Sequence, residues 1–241
     1  MTQHLVRELP PGFGGVERVA HVLANEISGT VFFLNKSQID KDPLSVNYVR
    51  SYFKTIKLGR LYIPFISNSF FKLIFSKEPL IAHLPCPTIL LLAFISKIIR
   101  PRKSIAFYWH SFITPRNNFI GFLETIYQFI ALKIVKYFPV IVTSPNLKNT
   151  LISHQLSNKK IYILPCSLPV EIEKIYFDMS NKRSLDDKIN GNIIVISRLD
   201  SYKRIDWLIE SFAKSRSAKR LIILGDGPNR NKLESFANIY I

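Results

Sequence analysis

The stretch Gly191–Pro228, GNIIVISRLDSYKRIDWLIESFAKSRSAKRLIILGDGP, decides the fold. Asn192–Ser197 is a short β-branched run, the kind that suits a strand buried on both faces of a parallel sheet. Arg198–Arg204 is a charged loop. Ile205, Leu208, Ile209, Phe212 and Ala213 then recur at helical spacing, which predicts a helix over Ile205–Lys214. Leu221–Leu224 is a second apolar strand, broken by Gly225-Asp226-Gly227-Pro228. Together these make a β-loop-α-β unit. Ligands of open parallel sheets bind outside the carboxyl ends of the strands. Here those ends carry Arg198, Lys203, a glycine-rich turn and a helix N-terminus, groups that suit a phosphate-bearing ligand.

The rest of the chain repeats the same alternation. Leu5–Leu9 is a short first strand, and Pro10–Gly15 is a loop whose tight turn calls for glycine. A helix over Val16–Ile27 and a strand over Val31–Asn35 follow. Amides of Gly14 and Gly15 at that helix start can approach a phosphate, although glycines also serve loop shape alone. Leu80–His83 and Ile105–Ser111 read as buried strands carrying His83 and His110 near their carboxyl ends. One such histidine is ordinarily structural, but two at neighbouring strand ends point to a shared cleft. Val140–Thr143, a helix over Leu147–His154 and Ile161–Leu164 close another β-α-β unit. Asp40-Lys41-Asp42 has the spacing of a metal-binding carboxylate pair, but it sits in a polar turn before Pro43 and is discounted.

The motifs resemble those of retaining glycosyltransferases of family four. Ser197-Arg198-Leu199-x3-Lys203-Arg204, then a helix and a strand ending in Gly225-Asp226-Gly227-Pro228, matches the donor half of these enzymes. Gly14, Gly15 and Glu17 match the G-G-x-E element, and Trp109-His110-Ser111 and Ala82-His83-Leu84-Pro85 match the two histidine elements. The resemblance implies an α/β chain of GT-B type with two Rossmann-like parallel-sheet domains, over 1–180 and 190–241. It also implies transfer of a hexose from a nucleotide-sugar, without metal or other cofactor. Gly14, Gly15, Arg198 and Lys203 would hold the donor phosphates, and His110 would contact the sugar at the reacting centre. Glu17, His83, Gly225 and Asp226 are further candidate donor contacts. Cys166, after Pro165, stands where the family has glycine.

The resemblance also sets expectations that the residues alone do not. It favours members that move mannose from GDP-mannose to a lipid-linked or surface-polysaccharide acceptor, such as a lipopolysaccharide precursor. Only Asn229–Ile241 follow Pro228, where the family continues with a second phosphate-facing loop and an E-x7-E pair. The expectation is therefore an incomplete C-terminal domain, with activity of this chain in question.

Composition narrows the partners. The 241 residues are 47% apolar, enough for real cores, and 33 basic against 17 acidic residues give a net charge of +16. That excess favours anionic partners such as nucleotides or phospholipid surfaces. No nucleic-acid motif accompanies it, so nucleic acid is not expected. Tyr48–Lys77 interleaves rings and cations, which suits either a membrane-surface face or a core helix with a basic side. Thr88–Ile99 and Phe119–Phe138 read as buried or amphipathic core helices rather than membrane spans. Cys86 and Cys166, far apart, read as two buried reduced thiols. The expected location is the cytoplasm, with peripheral contact at the inner face of the plasma membrane. Two other readings fit less. A dehydrogenase-like fingerprint fails because Glu17 and Arg230 stand where its third glycine belongs. A non-catalytic basic nucleotide- or membrane-binding remnant leaves the strand-end motifs without a purpose.

Overall fold

The computed structural model describes residues 1–9, 14–35, 46–58, 61–166, 174 and 191–240. The D-x-D turn at 40–42, Gly12 and, apart from Lys174, the stretch 167–190 between the two expected domains lie outside the described residues. The chain divides into two compact units, Met1–Pro169 and Val170–Ile241.

Unit 1 is built on seven parallel strands. In chain order its elements are β1 (Thr2–Glu8), α1 (Gly15–Ile27), β2 (Gly29–Asn35), β3 (Val49–Tyr52), β4 (Thr55–Leu58), β5 (Leu61–Pro64) and α2 (Asn68–Phe75). β6 (Leu80–Leu84), α3 (Pro87–Ile99), β7 (Ile105–Trp109), α4 (Phe119–Val135), β8 (Val140–Val142), α5 (Pro145–Ser153) and β9 (Ile161–Ile163) follow. The strand order is β3-β2-β1-β6-β7-β8-β9, and β4–β5 is a separate antiparallel hairpin. From β1 the chain winds outward to β2 and β3, then returns to β6 and winds the other way. The order thus reverses between β1 and β6, where such sheets open a crevice at the carboxyl ends of their strands.

Both faces of this sheet are covered near its centre, so its strands are apolar on both sides. Leu5, Phe32, Ala82, Leu84, Phe107 and Trp109 pack with Ile89, Leu90 and Ala93 of α3 and with Ala131 and Val135 of α4. Val6, Val31 and Phe33 pack on the other side with Ala20 and Ala24 of α1. β1 begins at Thr2, earlier than the apolar pattern indicates, because two polar residues in it are buried and partnered. Gln3 Oε1 accepts from Lys103 Nζ at 2.8 Å, and His4 Nδ1 lies 3.3 Å from His83 Nε2. Lys103 Nζ also donates to the Leu73 carbonyl at 2.6 Å, and burial pulls its pKa down to about 8.

Three expectations need correction. Tyr48–Lys77 is not one helix but β3, the β4–β5 hairpin and α2. α4 packs on the core along one side, through Ala131 and Val135, but its other side is not polar as an amphipathic helix would have it: Phe119, Phe122, Ile126, Phe129 and Ile130 are exposed. Apolar residues on both sides of a helix fit burial and an exposed apolar face equally well, so the pattern could not separate the two. Cys86 is buried, but Cys166, just past β9, is exposed. No helix among the described residues is long and apolar enough to cross a membrane.

Unit 2 contains β10 (Asn192–Ile196), α6 (Ile205–Lys214), β11 (Arg220–Leu224) and α7 (Arg230–Tyr240). β10 and β11 pair in parallel from Asn192↔Arg220 to Ile196↔Leu224. Val195, Leu221 and Ile223 pack with Ile205, Ile209, Leu233 and Phe236 on one face only. Ile194 and Ile196 on the opposite face are exposed, so β10 is not buried on both faces as its sequence suggests. Both described helices lie with the first set.

Candidate functional site

In unit 1 the chemistry gathers at the β1–β6–β7 edge. Register places His83 beside Tyr108, and His110 follows β7, its backbone N–H donating to the Leu84 carbonyl at 3.1 Å. His83 Nδ1 lies 2.9 Å from His110 Nε2, so the two strand-end histidines share one hydrogen bond. The rings of His83 and His110 are stacked with centroids 5.2 Å apart, and Tyr108 stacks on His110 at 4.3 Å. The Tyr108 hydroxyl donates to the Leu164 carbonyl at 2.7 Å, which fixes that ring. Burial lowers His110 to about 4 and His4 to about 4, so both are neutral at ordinary pH. His83 is pushed well below its usual value, first by burial and then by the charges His110 and His4 would carry.

Both ring nitrogens of His83 face other imidazoles, so His83 has no nitrogen left to give a ligand a hydrogen bond in this arrangement. His110 is less deeply buried, and no protein hydrogen bond to its Nδ1 occurs among the described residues. The third histidine, His4, was not legible as a site residue. It lies inside the first strand, and only register brings it next to His83.

At the start of α1, Gly14 has φ −93° and ψ 151°, an extended conformation open to any residue. Glycine stands there for space rather than for turn geometry, because a Cβ would meet the Glu17 carboxylate. Glu17 itself is 3% exposed. Burial raises its pKa, against backbone hydrogen bonds at Glu17 and Glu8 and the charge of Arg7. This carboxylate therefore ties the loop end to the helix start. Gly15 differs: among the described residues nothing lies within 4 Å of the place its Cβ would take, so they leave the helix start open at that point.

In unit 2 the strand-end loops are stitched together by backbone. Ser197 N–H donates to the Leu224 carbonyl at 3.0 Å, Leu199 N–H to that of Asp226 at 2.9 Å, and Asn229 N–H to that of Leu199 at 3.0 Å. A Cβ on Gly225 would strike the Ser197 carbonyl oxygen, so the first glycine of the G-D-G turn permits this close approach. Asp226 accepts from the Gly227 N–H at 2.9 Å and is otherwise exposed. Arg198 Nε is 2.9 Å from Asp200 Oδ2 and its side chain is 69% exposed. Lys203, in the 3-10 turn Ser201–Lys203, has Nζ 5.2 Å from the centre of the Tyr202 ring. Arg204 adopts the left-handed conformation before α6 and lies over the Trp207 ring at 3.5 Å. Both phosphate candidates thus stand solvent-accessible beside the β10 end, lightly held by a surface neighbour. An open hollow of about 140 Å³, lined by Leu199, Ile209, Ile223, Gly225 and the Arg230–Glu234 pair, lies in the same unit. No group of three or more acidic, histidine or cysteine side chains fit to hold a metal ion occurs among the described residues.

The class defined by these features is an α/β chain with two parallel-sheet units of GT-B type, each with polar groups at its strand ends. No family model and no curated protein matches the chain. Solved structures of Alr3699/HepE from Anabaena do match. The complex with UDP has a TM-score of 0.66 at 14% identity, covering 100% of this chain and 66% of that one. The complex with UDP and glucose gives 0.66 at 14%, covering 98% and 64%. The complex with UDP-glucose gives 0.67 at 15%, covering 99% and 65%. The chain thus spans just under two thirds of the length of these structures, and the likeness is one of fold.

Proposed function

We propose that this chain belongs to a glycosyltransferase that takes a hexose from a nucleotide-sugar. The observation that carries the reading is the edge where the strand order reverses, which holds both the open start of α1 at Gly15 and the His83–His110 pair. The fold shared with Alr3699/HepE, seen with UDP and UDP-glucose, supports the same reading. In this proposal the neutral His110 holds a sugar hydroxyl. In unit 1 the amides of Gly14 and Gly15 are the phosphate-facing groups; in unit 2 they are Arg198 and Lys203, cations able to stabilise the charge that develops on a diphosphate as its sugar departs. The four require no metal for that task, and no side chain among them is an enzymic nucleophile. Transfer with retention fits a family in which the leaving phosphate assists. The resemblance favours mannose from GDP-mannose, whereas the neighbour's ligand favours a uridine nucleotide.

The deciding experiment is calorimetric titration of the 241-residue chain with UDP-glucose, GDP-mannose, UDP and GDP, with and without Mg²⁺. The expected result is metal-independent binding of one nucleotide, weakened in Arg198→Ala, and weakened in His110→Ala only for its sugar-bearing form. If none of the four ligands binds, the reading falls. Binding without glycosyl transfer would leave a nucleotide-binding remnant.

A separate observation supports a partner. Phe119, Phe122, Ile126 and Phe129 recur at helical spacing along one side of α4 and are exposed, and Lys133 Nζ lies 5.3 Å from the Phe129 ring. An apolar helix side flanked by cations, on a chain of net charge +16, suits the headgroup region of an anionic bilayer. We propose that this side rests on the membrane that carries a lipid-linked acceptor.

A further inference from the structure

We infer that His4 and His83 are positioning residues that hold His110 as the tautomer protonated on Nδ1, so that it presents an N–H donor to its ligand. The three imidazoles form one row: His4 Nδ1 to His83 Nε2 at 3.3 Å, then His83 Nδ1 to His110 Nε2 at 2.9 Å. A neutral imidazole carries one N–H and one bare nitrogen, and both nitrogens of His83 are engaged. Each link needs one donor and one acceptor, so the direction chosen at one end fixes all three rings.

Two directions exist, and burial separates them. If the protons run from His110 towards His4, His4 must carry its proton on Nε2, which is buried and has no partner among the described residues. That would strand an N–H in the core, and orphaned buried N–H groups are rare because they forfeit the full cost of desolvation. If the protons run from His4 towards His110, His4 Nε2 holds only a bare lone pair, the milder deficit. His4 Nδ1–H then donates to His83, His83 Nδ1–H donates to His110 Nε2, and His110 is left with its proton on Nδ1. Tyr108, stacked on His110 and anchored through its hydroxyl to Leu164, keeps the ring from turning to reverse this choice. His110 can then give a hydrogen bond to a sugar oxygen but cannot accept one. That last step rests on the proposed function; the tautomer does not.

Long-range ¹H–¹⁵N spectra of the chain with ¹⁵N-labelled histidine, its five histidines assigned by single substitutions, read the tautomer directly. The expected wild-type result is His110 with Nδ1 protonated and Nε2 bare; the opposite assignment overturns the inference. In His4→Leu the constraint is gone, and the His110 signals should move towards the Nε2-protonated form. His4→Asn keeps a donor where Nδ1 stood and should restore the wild-type pattern. A tautomer unchanged in a folded His4→Leu would mean that His4 is merely structural. Should His4→Leu fail to fold, the wild-type spectrum alone still decides the tautomer. Titration of the same variants with UDP-glucose separates the two ideas: the expected weakening in His4→Leu is about fivefold, the worth of one hydrogen bond. A wild-type tautomer as expected with no sugar-nucleotide binding would keep the row and discard the function.

Discussion

At the scale of the residue, two groups of side chains set testable costs. His4 and His110 are neutral in the fold with pKa values of about 4, whereas an exposed histidine titrates near 6.5. The unfolded chain therefore binds more protons than the folded one between those values, and stability rises with pH across that window. Thermal unfolding of the chain should give a midpoint that falls steadily as the pH is lowered from 6.5 to 4. In His4→Phe the fall should be shallower, because one buried base is gone; an unchanged slope would count against burial as its cause. The glycines make a second contrast. Gly225→Ala drives a methyl into the Ser197 backbone, which cannot yield, and should cost unit 2 about 1–3 kcal/mol in chemical denaturation. Gly14→Ala meets only the end of the Glu17 side chain, which can swing aside, and should cost clearly less. Equal losses would mean that the close approach at Gly225 is not tight.

At the scale of the element, the question is what covers α4. Co-sedimentation with vesicles containing phosphatidylglycerol should retain the wild-type chain. Phe122→Ser combined with Phe129→Ser should weaken that binding by at least about tenfold, since each ring forfeits much of the 1.5–3 kcal/mol of a buried side chain. Circular dichroism should be unchanged, because both rings are exposed, at 61% and 60%. Equal retention of the double variant would refute the membrane contact. α4 also shows where reading the sequence stops. Strands such as Leu80–Leu84 and Ile105–Trp109 were legible because both faces are buried and their residues are apolar in unbroken runs. The helix was legible as a helix against the core, but with apolar residues on both sides its sequence does not tell which side faces inward. β1 was half legible, since its start at Gln3 and His4 is held by partners 100 and 79 residues away. The candidate site followed the same division. His83 and His110 stand out at strand ends, whereas His4 joins them only through the parallel pairing of β1 with β6.

At the scale of the whole molecule, the two units differ most in how much each buries. Unit 1 has a seven-stranded sheet with packed cores on both faces, while the fully buried apolar core of unit 2, among the described residues, is Leu199, Ile205 and Ile209. Burial of apolar surface is the main favourable term in folding, so local opening should be far easier where so little is buried. Amide hydrogen exchange should therefore find the slowest protons in β1, β6 and β7. Those of β10 and β11, in a two-stranded sheet with one bare face, should exchange at least about a hundredfold faster, a difference of some 2.7 kcal/mol in opening free energy. A ligand that binds the closed form of unit 2 must slow that exchange by mass action, by up to a hundredfold at one hundred times its dissociation constant. Adding UDP or GDP at such a concentration should therefore protect Ile193–Ile196 and Leu221–Leu224 if Arg198 and Lys203 hold the diphosphate. The same addition should leave those amides unprotected in the Arg198→Ala, Lys203→Ala double variant. Protection equal to that of β6 before any nucleotide is added would show instead that unit 2 draws its stability from contacts beyond its own small core.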